Sequence, residues 1–282
     1  MQLMVFSKHL AGLPLDEVAR RLVAMGIDAI DLTVRPGGHV EPERVEDELP
    51  RAAESLAAGG VRIGMMTTGI TDARDPVTPK ILQTAARLGI SYYKLGYFMY
   101  AGFGTLKKQR AEVKARLQEL AALNLEIGIH GGFHNHSDKF LGASLWDVHH
   151  VLEDIDPRAL GSYLDAAHAT VEGGSAGWLM GMDLLSDRIT MLAVKDFRWV
   201  EGPRGYAGGR RNKTEWLPLA DGNTQWPQIL KYLHQIGFAG PVSLHSEYQG
   251  SHSFKDLTVD EVFEQTARDL AVFREWLAAA QA

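Results

Sequence analysis

Apolar residues recur along this chain in two alternating rhythms. Short runs rich in Val, Ile, Leu and Met, at 4–6, 29–33, 61–65, 91–95, 126–129, 162–165, 189–195 and 242–244, read as strands. Each is followed by a stretch with apolar residues three and four apart, which reads as a helix. These are a Pro14-led segment carrying Val18, Leu22 and Met25, then 43–58, 78–88, 107–123, 145–152, 177–185, 226–236 and 259–279. Strands alternating with helices imply a parallel sheet. Eight such units, a strand first and a helix last, favour a closed α/β architecture, the (β/α)8 TIM barrel, over an open doubly wound sheet. No G-x-G-x-x-G follows the first strand, which weakens a dinucleotide fold further. With no linker and no low-complexity segment, residues 1–282 are expected to form one domain. One connection is unusually long: 197–225, between strand seven and its helix, reads as a structureless lid or binding loop.

Composition narrows the class. At 45% hydrophobic and 23% charged residues, the chain has the balance of a soluble globular protein. A net charge of −6 argues against a nucleic-acid surface, which must neutralise many phosphates. There is no apolar run of the ~18 residues that a membrane span needs, and the opening residues lack the pattern of a signal peptide. The absence of cysteine excludes disulfides, thiolate metal sites and a catalytic thiol, and suits a cytoplasmic location.

In such barrels the active site lies at the C-terminal ends of the strands, and polar residues gather there. Strand two ends near Asp31, Thr33 and Arg35, with His39 in its loop, and strand four carries Lys94. Strand five, read as starting near Ile127, ends in His134, Asn135 and His136. Asp165 and His168 follow on strand six, Lys195 and Asp196 on strand seven, and His245 and Glu247 on strand eight. The strand beginnings are Met4, Ala29, Val61, Ile189 and Val242. This asymmetry points to an enzyme. Taken singly, each signal has a plainer reading. The two histidines could leave a strand at the surface, Asp165 could cap a helix, and Lys195–Asp196 could be a surface ion pair. Arg35 with Gly37, Gly38 and His39 could grip a substrate oxygen or shape a turn. Arg204, Arg210, Arg211 and Lys213 fit a solvated charge run better than a screen for an anion. Trp199, Trp216 and Trp226 are expected to pack the long loop down, with one available to wall off a sugar. Histidines and carboxylates without thiolates suit Mn, Co, Fe, Zn or Mg as a Lewis acid. Such an ion stabilises the ene-diolate formed when a proton leaves carbon beside a carbonyl.

The residues carry a resemblance. Phe133-His134-Asn135-His136, Asp165-Ala166-Ala167-His168, Val194-Lys195-Asp196, Pro218-Leu219-Ala220-Asp221-Gly222 and Ser243-Leu244-His245-Ser246-Glu247 resemble, in order and spacing, the motifs of the xylose isomerase-like barrel superfamily, the sugar phosphate isomerase/epimerase group. The resemblance implies one divalent ion held from strands five to eight. Position by position its ligands fall on His134, Asp165, Ala193 and either His245 or Glu247. Two departures stand out: His134 replaces a glutamate, and Ala193 replaces a histidine.

These readings together assign catalysis to His168, Lys195, Glu247 and His136, and substrate contacts to Arg35, His39, Lys94 and Asn135. One divalent ion (Mn, Co, Mg, Fe or Zn) is assigned to His134, Asp165, His245 and Glu247. The expected activity is a metal-dependent sugar or sugar phosphate isomerase or epimerase. The alternatives are a lyase or dehydratase of keto sugars or inososes, and a non-catalytic barrel that has lost part of its metal site. The expected partner is a small carbohydrate, not nucleic acid or membrane. Barrels of this kind often pair, so a homo-oligomer is compatible with the chain.

Overall fold

The computed structural model describes residues 1–202 and 212–281. Strands β1 (Gln2–Phe6), β2 (Ala29–Val34), β3 (Arg62–Thr68), β4 (Tyr92–Lys94), β5 (His130–His134), β6 (Leu160–Asp165) and β7 (Ile189–Val194) are followed by a hairpin of β8 (Asp196–Glu201) and β9 (Asn212–Leu217), then by β10 (Pro241–Leu244). All but the hairpin close into a parallel barrel in the order β1-β10-β7-β6-β5-β4-β3-β2. Around it run α1 (Leu15–Ala24), α2 (Val45–Ala58), α3 (Val77–Arg87), α4 (Leu106–Ile127), α5 (Leu145–Leu152), α6 (Ala166–Gly173), α7 (Gly177–Leu184), α8 (Trp226–Gln235) and α9 (Val259–Gln281). None of the described helices is long and apolar enough to cross a membrane.

The periodicities explain the layers. α1 turns Val18, Ala19 and Leu22 inward, three and four residues apart, and leaves Glu17 and Arg21 paired along its outer side. β2 and β6 are buried along their whole length, as expected where helices cover one face and the barrel interior the other. The interior below the strand ends is filled by Met4, Ala29, Met65, Tyr163, Met191 and Ala193, so the barrel is plugged beneath its C-terminal mouth.

Three expectations are corrected. β5 starts at His130, not at residue 126, because the helix formers of α4 continue to Ile127 and stop only where Gly128 turns left-handed, with φ 79°. A further helix, α6, begins directly after Asp165. The connection 197–225 is not structureless. Its flanks pair antiparallel from Asp196–Leu217 to Glu201–Asn212, while Arg204, Arg210 and Arg211 lie outside the described residues. The hairpin is tied to the loop after β10: the Trp216 amide donates to the His252 carbonyl at 2.9 Å, and Phe254 donates to the Trp216 carbonyl at 2.8 Å.

Asp196 anchors the base of this hairpin and does not form a surface pair with Lys195. It is buried, and its Oδ1 accepts from the Phe197 amide at 2.8 Å, the Thr224 amide at 2.9 Å and the Thr224 hydroxyl at 2.7 Å. Gly222 packs so closely that a Cβ there would lie 1.9 Å from the Asp196 carboxyl carbon. Gly222→Ala is therefore expected to destabilise the fold by ~1–3 kcal/mol, read as a lower urea midpoint. Gly12→Ala, where a Cβ meets nothing within 4 Å, is the control and should leave the midpoint nearly unchanged.

Candidate active site

The C-terminal mouth holds two polar cavities that share Lys8, His136, Lys195 and Glu247. The inner one, about 150 Å³, is also lined by Arg35, Lys94, Tyr97 and His245. The outer one, about 320 Å³, reaches His168 and Trp216. At their junction sits Lys195. Its ammonium lies 2.9 Å from His168 Nε2, 3.2 Å from Glu247 Oε2 and 3.3 Å from Asp165 Oδ2, with the Trp216 ring 4.4 Å away. Strand order explains the meeting. Lys195 follows β7, whose barrel neighbours β6 and β10 end at Asp165 and just before His245 and Glu247.

Asp165 is held from two sides. Its Oδ1 accepts from the His168 amide at 2.9 Å, which caps α6, and its Oδ2 meets His134 Nε2 at 3.3 Å. The capping role and the site role thus coexist in one carboxylate. Asn135, read from the sequence as a substrate contact, clamps the backbone of Asp165 and lines neither cavity. It is fully buried, its amide donates to the Asp165 carbonyl at 2.9 Å, and its Oδ1 accepts from the Asp165 N–H at 2.7 Å. His39 is similarly committed, with Nδ1 3.1 Å from the Thr33 hydroxyl and Nε2 3.2 Å from the Leu10 carbonyl, and it lines neither cavity. Arg35, Lys94, His134, His136, Lys195, His245 and Glu247 do come together around the inner cavity. Lys8, Thr67 and Tyr97 line it as well without having been singled out in the sequence. Lys8 and Thr67 stand at strand ends and were accessible to the same rule; Tyr97 lies past the end of β4, where no periodicity marks it.

Charge and hydrogen bonding fix the protonation pattern. Burial opposes ionisation of Asp165, yet Lys195, His168 and His134 outweigh it and hold the carboxyl well below its ordinary value. Glu247 behaves alike: burial is overcome by Lys195 and by Lys8, whose ammonium lies 2.7 Å from Oε1. Lys195 is correspondingly held above the usual lysine value, because Asp165 and Glu247 outweigh its burial. Burial, then Lys195, pushes His168 and His245 well below the ordinary imidazole value, and burial takes His134 down to about 4. All three are neutral at physiological pH. Because an ammonium can only donate, His168 Nε2 accepts from Lys195, and Nδ1–H donates to the Ser137 hydroxyl at 2.8 Å. Because the Asp165 carboxylate can only accept, His134 donates from Nε2, leaving Nδ1 to accept from the Tyr97 hydroxyl at 3.3 Å. His136 differs. Its Nδ1 lies 2.8 Å from the Ser137 carbonyl and must donate, so Nε2 keeps a lone pair with no hydrogen-bond partner among the described residues. Lys94 is pushed down to about 7 by burial and then by Arg35, and Asp31 beside it is pushed up to about 7 by burial.

The donor set does not fit a divalent ion in this arrangement. Among the described residues no group of three or more His, Asp or Glu is placed to hold one. The lone pairs of His134 and His168 are engaged by Tyr97 and Lys195, and His245 Nε2 lies 2.9 Å from the Tyr163 hydroxyl. Both carboxylates are paired with lysines. Ala193, at the position where the resemblance implies a histidine ligand, is packed in the apolar plug.

A family model described as xylose isomerase-like TIM barrel matches residues 19–276. Among solved structures, the IOLI protein with a zinc atom bound superposes with TM-score 0.74 at 16% identity, over 98% of this chain and 99% of that one. D-allulose 3-epimerase from Methylomonas sp. gives 0.70 at 17% identity, over 98% of both chains. The probable 3-DHS dehydratase AsbF from Bacillus anthracis gives 0.68 at 14%, over 96% and 99%. At such identities the likeness establishes the fold. No curated protein matches the sequence significantly.

Removing the Lys195 charge leaves buried Asp165 without its ammonium partner and Glu247 with Lys8 alone, so Lys195→Met is expected to lose about 3–5 kcal/mol at neutral pH. The sign with pH follows. The wild-type carboxylates contribute stability above their unfolded values near pH ~4, and that stability is lost as pH falls through their depressed folded values. In the variant those carboxyls bind protons more readily, so the deficit against wild type should narrow between pH 7 and pH 5. Urea midpoints at both values check this; an unchanged gap would mean the loss is one of packing, not of charge.

Proposed function

The chain belongs to the xylose isomerase-like TIM barrel family, and from that premise we propose that it isomerises or epimerises a sugar or an anionic sugar derivative through an ene-diolate. The observation that carries this reading is His136: a neutral imidazole with an unengaged lone pair, lining both cavities, the inner of which also presents Lys8, Arg35, Lys94 and Lys195. A base beside fixed positive charge is what removal of a proton from carbon next to a carbonyl requires. His136 takes the proton. The Lys195 and Lys94 ammonium groups face the negative charge that grows on the carbonyl oxygen. Lys94, with its value near 7, can give a proton to that oxygen and recover it. Return of the proton from His136 to the neighbouring carbon gives the isomer; delivery of a proton to the original carbon on its opposite face, by a second donor such as Lys94, gives the epimer. Departure of a hydroxyl from the next carbon makes the same site a dehydratase.

Size and charge support the substrate class. The inner cavity lies below the ~300–1,000 Å³ of drug-sized ligands, which suits a small polar metabolite. Arg35 and Lys94 both line it, and neither has an ion-pair partner among the described residues. That surplus of positive charge favours a phosphate or carboxylate on the sugar. No step runs through a divalent ion, since the donors that would hold one are engaged as described.

The test is turnover of keto sugars, their phosphates and their acid derivatives in D2O. Deuterium should enter at the carbon beside the carbonyl, and isomerised should exceed dehydrated product. His136→Ala should lower kcat by ~10²–10⁴-fold. kcat/KM should fall as pH rises through about 7, and Lys94→Met should remove that limb. Mainly dehydrated product would move the assignment to a lyase, and no exchange with any of these substrates would leave the non-catalytic alternative.

A further inference from the structure

We propose that the Lys195 ammonium is the resident cation of this site, standing where a divalent ion would otherwise lie between Asp165 and Glu247. Three independent features carry this. The first is geometric: three acceptors, His168 Nε2, Glu247 Oε2 and Asp165 Oδ2, surround Nζ at 2.9, 3.2 and 3.3 Å, matching the three N–H groups an ammonium offers. An aromatic ring closes a fourth side, with Trp216 at 4.4 Å. The second is the layer beneath. Ala193 pairs in register with Asp165 on β6 and with Ser243 on β10, so a ligating side chain from β7 would have to rise from this position. Alanine offers none, and the ammonium of Lys195, the next inward-facing residue of that segment and part of the family motif, lies between the two carboxylates instead. The third is the state of the imidazoles. His134, Asp165 and Tyr97 form a closed chain, with His134 donating to the carboxylate and accepting from the phenol, so its lone pair is not presented to the centre.

The arrangement has a chemical consequence. Lys195 lines both cavities while its carboxylate partners hold it in place, so a substrate oxygen meets a fixed positive charge. A covalently tethered cation cannot be lost to a chelator or exchanged for another metal. This inference goes beyond the isomerase reading, and its test reads metal binding and not turnover, so either can fail without the other.

The experiment measures metal content of wild-type protein purified without chelator, followed by thermal unfolding with Zn²⁺, Mn²⁺ or Co²⁺ added. Wild type should carry far less than about one equivalent, with no rise in Tm, since an ion that does not bind the native state cannot stabilise it. Lys195→Ala opens the space between the two carboxylates and should gain what wild type lacks: a Tm raised by Zn²⁺ or Co²⁺, and a visible Co²⁺ spectrum. About one equivalent of metal in wild type, lost on Asp165→Ala, would overturn the proposal. So would a folded Lys195→Ala protein that ignores all three ions, because the lysine would then not occupy a metal's place. Should Lys195→Ala fail to fold, the wild-type content and titration decide alone.

Discussion

The burial of two carboxylates around one ammonium is the constraint on which the mouth of this barrel depends. Taking a carboxylate out of water costs several kcal/mol, and Asp165 is completely buried. Lys195 offsets that cost for Asp165 and Glu247 at once, and Lys8 adds a second charge to Glu247. The three residues come from the ends of neighbouring strands, so the ion cluster also fixes how β6, β7 and β10 finish relative to one another. Asn135 extends the same constraint to β5 by clasping both the N–H and the carbonyl of Asp165. A cluster of this kind is weak evidence for net stability but holds its members in one geometry. That geometry is what the neighbouring imidazoles inherit. The tautomers of His168, His134 and His136 are set by what an ammonium, a carboxylate and a carbonyl permit.

The hairpin from the long β7–α8 connection serves the same cluster from above. Asp196 pins its base through three donors, and its second strand brings Trp216 over Lys195 and next to His168, with ring centroids 5.1 Å apart. One face of the indole therefore covers one side of the Lys195 ammonium and adds a cation–π contact to it. Trp226, by contrast, is buried against Phe273, and Trp199 is exposed at 43%. Of the three tryptophans expected to hold the loop down, Trp216 is thus the one that faces the chemistry. The consecutive pair Lys195–Asp196 divides the labour: one side chain turns into the barrel to organise the site, and the other turns out to hold the segment that covers it.

How far the sequence foretold this depends on what each feature is made of. The barrel was legible because eight alternations of strand and helix periodicity leave few topologies open, and the rule that active sites lie at strand ends then gathered most of the cavity-lining residues. The start of β5 was not, because apolar spacing runs smoothly from α4 into the strand, and the break is a backbone angle at Gly128. The hairpin was hidden for a related reason. Its strands present charged residues such as Arg198, Glu201, Lys213 and Glu215 in place of an apolar run, so neither resembles a core strand. Asn135 and His39 show a different limit. Their side chains have the chemistry of substrate contacts, and only the positions of Asp165, Thr33 and Leu10 reveal that this chemistry is spent on the fold.

The same distinction orders the site itself. Groups engaged on every side cannot be the ones that move protons without dismantling the cluster: Lys195, Asp165, His134 and His168 each sit in a closed set of partners. What remains free to act is the layer around them. His136 has one engaged nitrogen and one open, and packs against His168 with ring centroids 3.9 Å apart and planes inclined at 37°, so its plane is held while its lone pair stays available. Lys94 is held over the Tyr97 ring at 3.4 Å with no ion pair among the described residues, and burial and then Arg35 bring its value down to about 7. A rigid charged centre thus surrounds itself with two poised titratable groups, one basic and one able to donate. The division follows from elementary accounting of donors and acceptors: in the reading proposed above, the engaged groups hold the site together, and His136, with one lone pair left over, is the one available to take a proton.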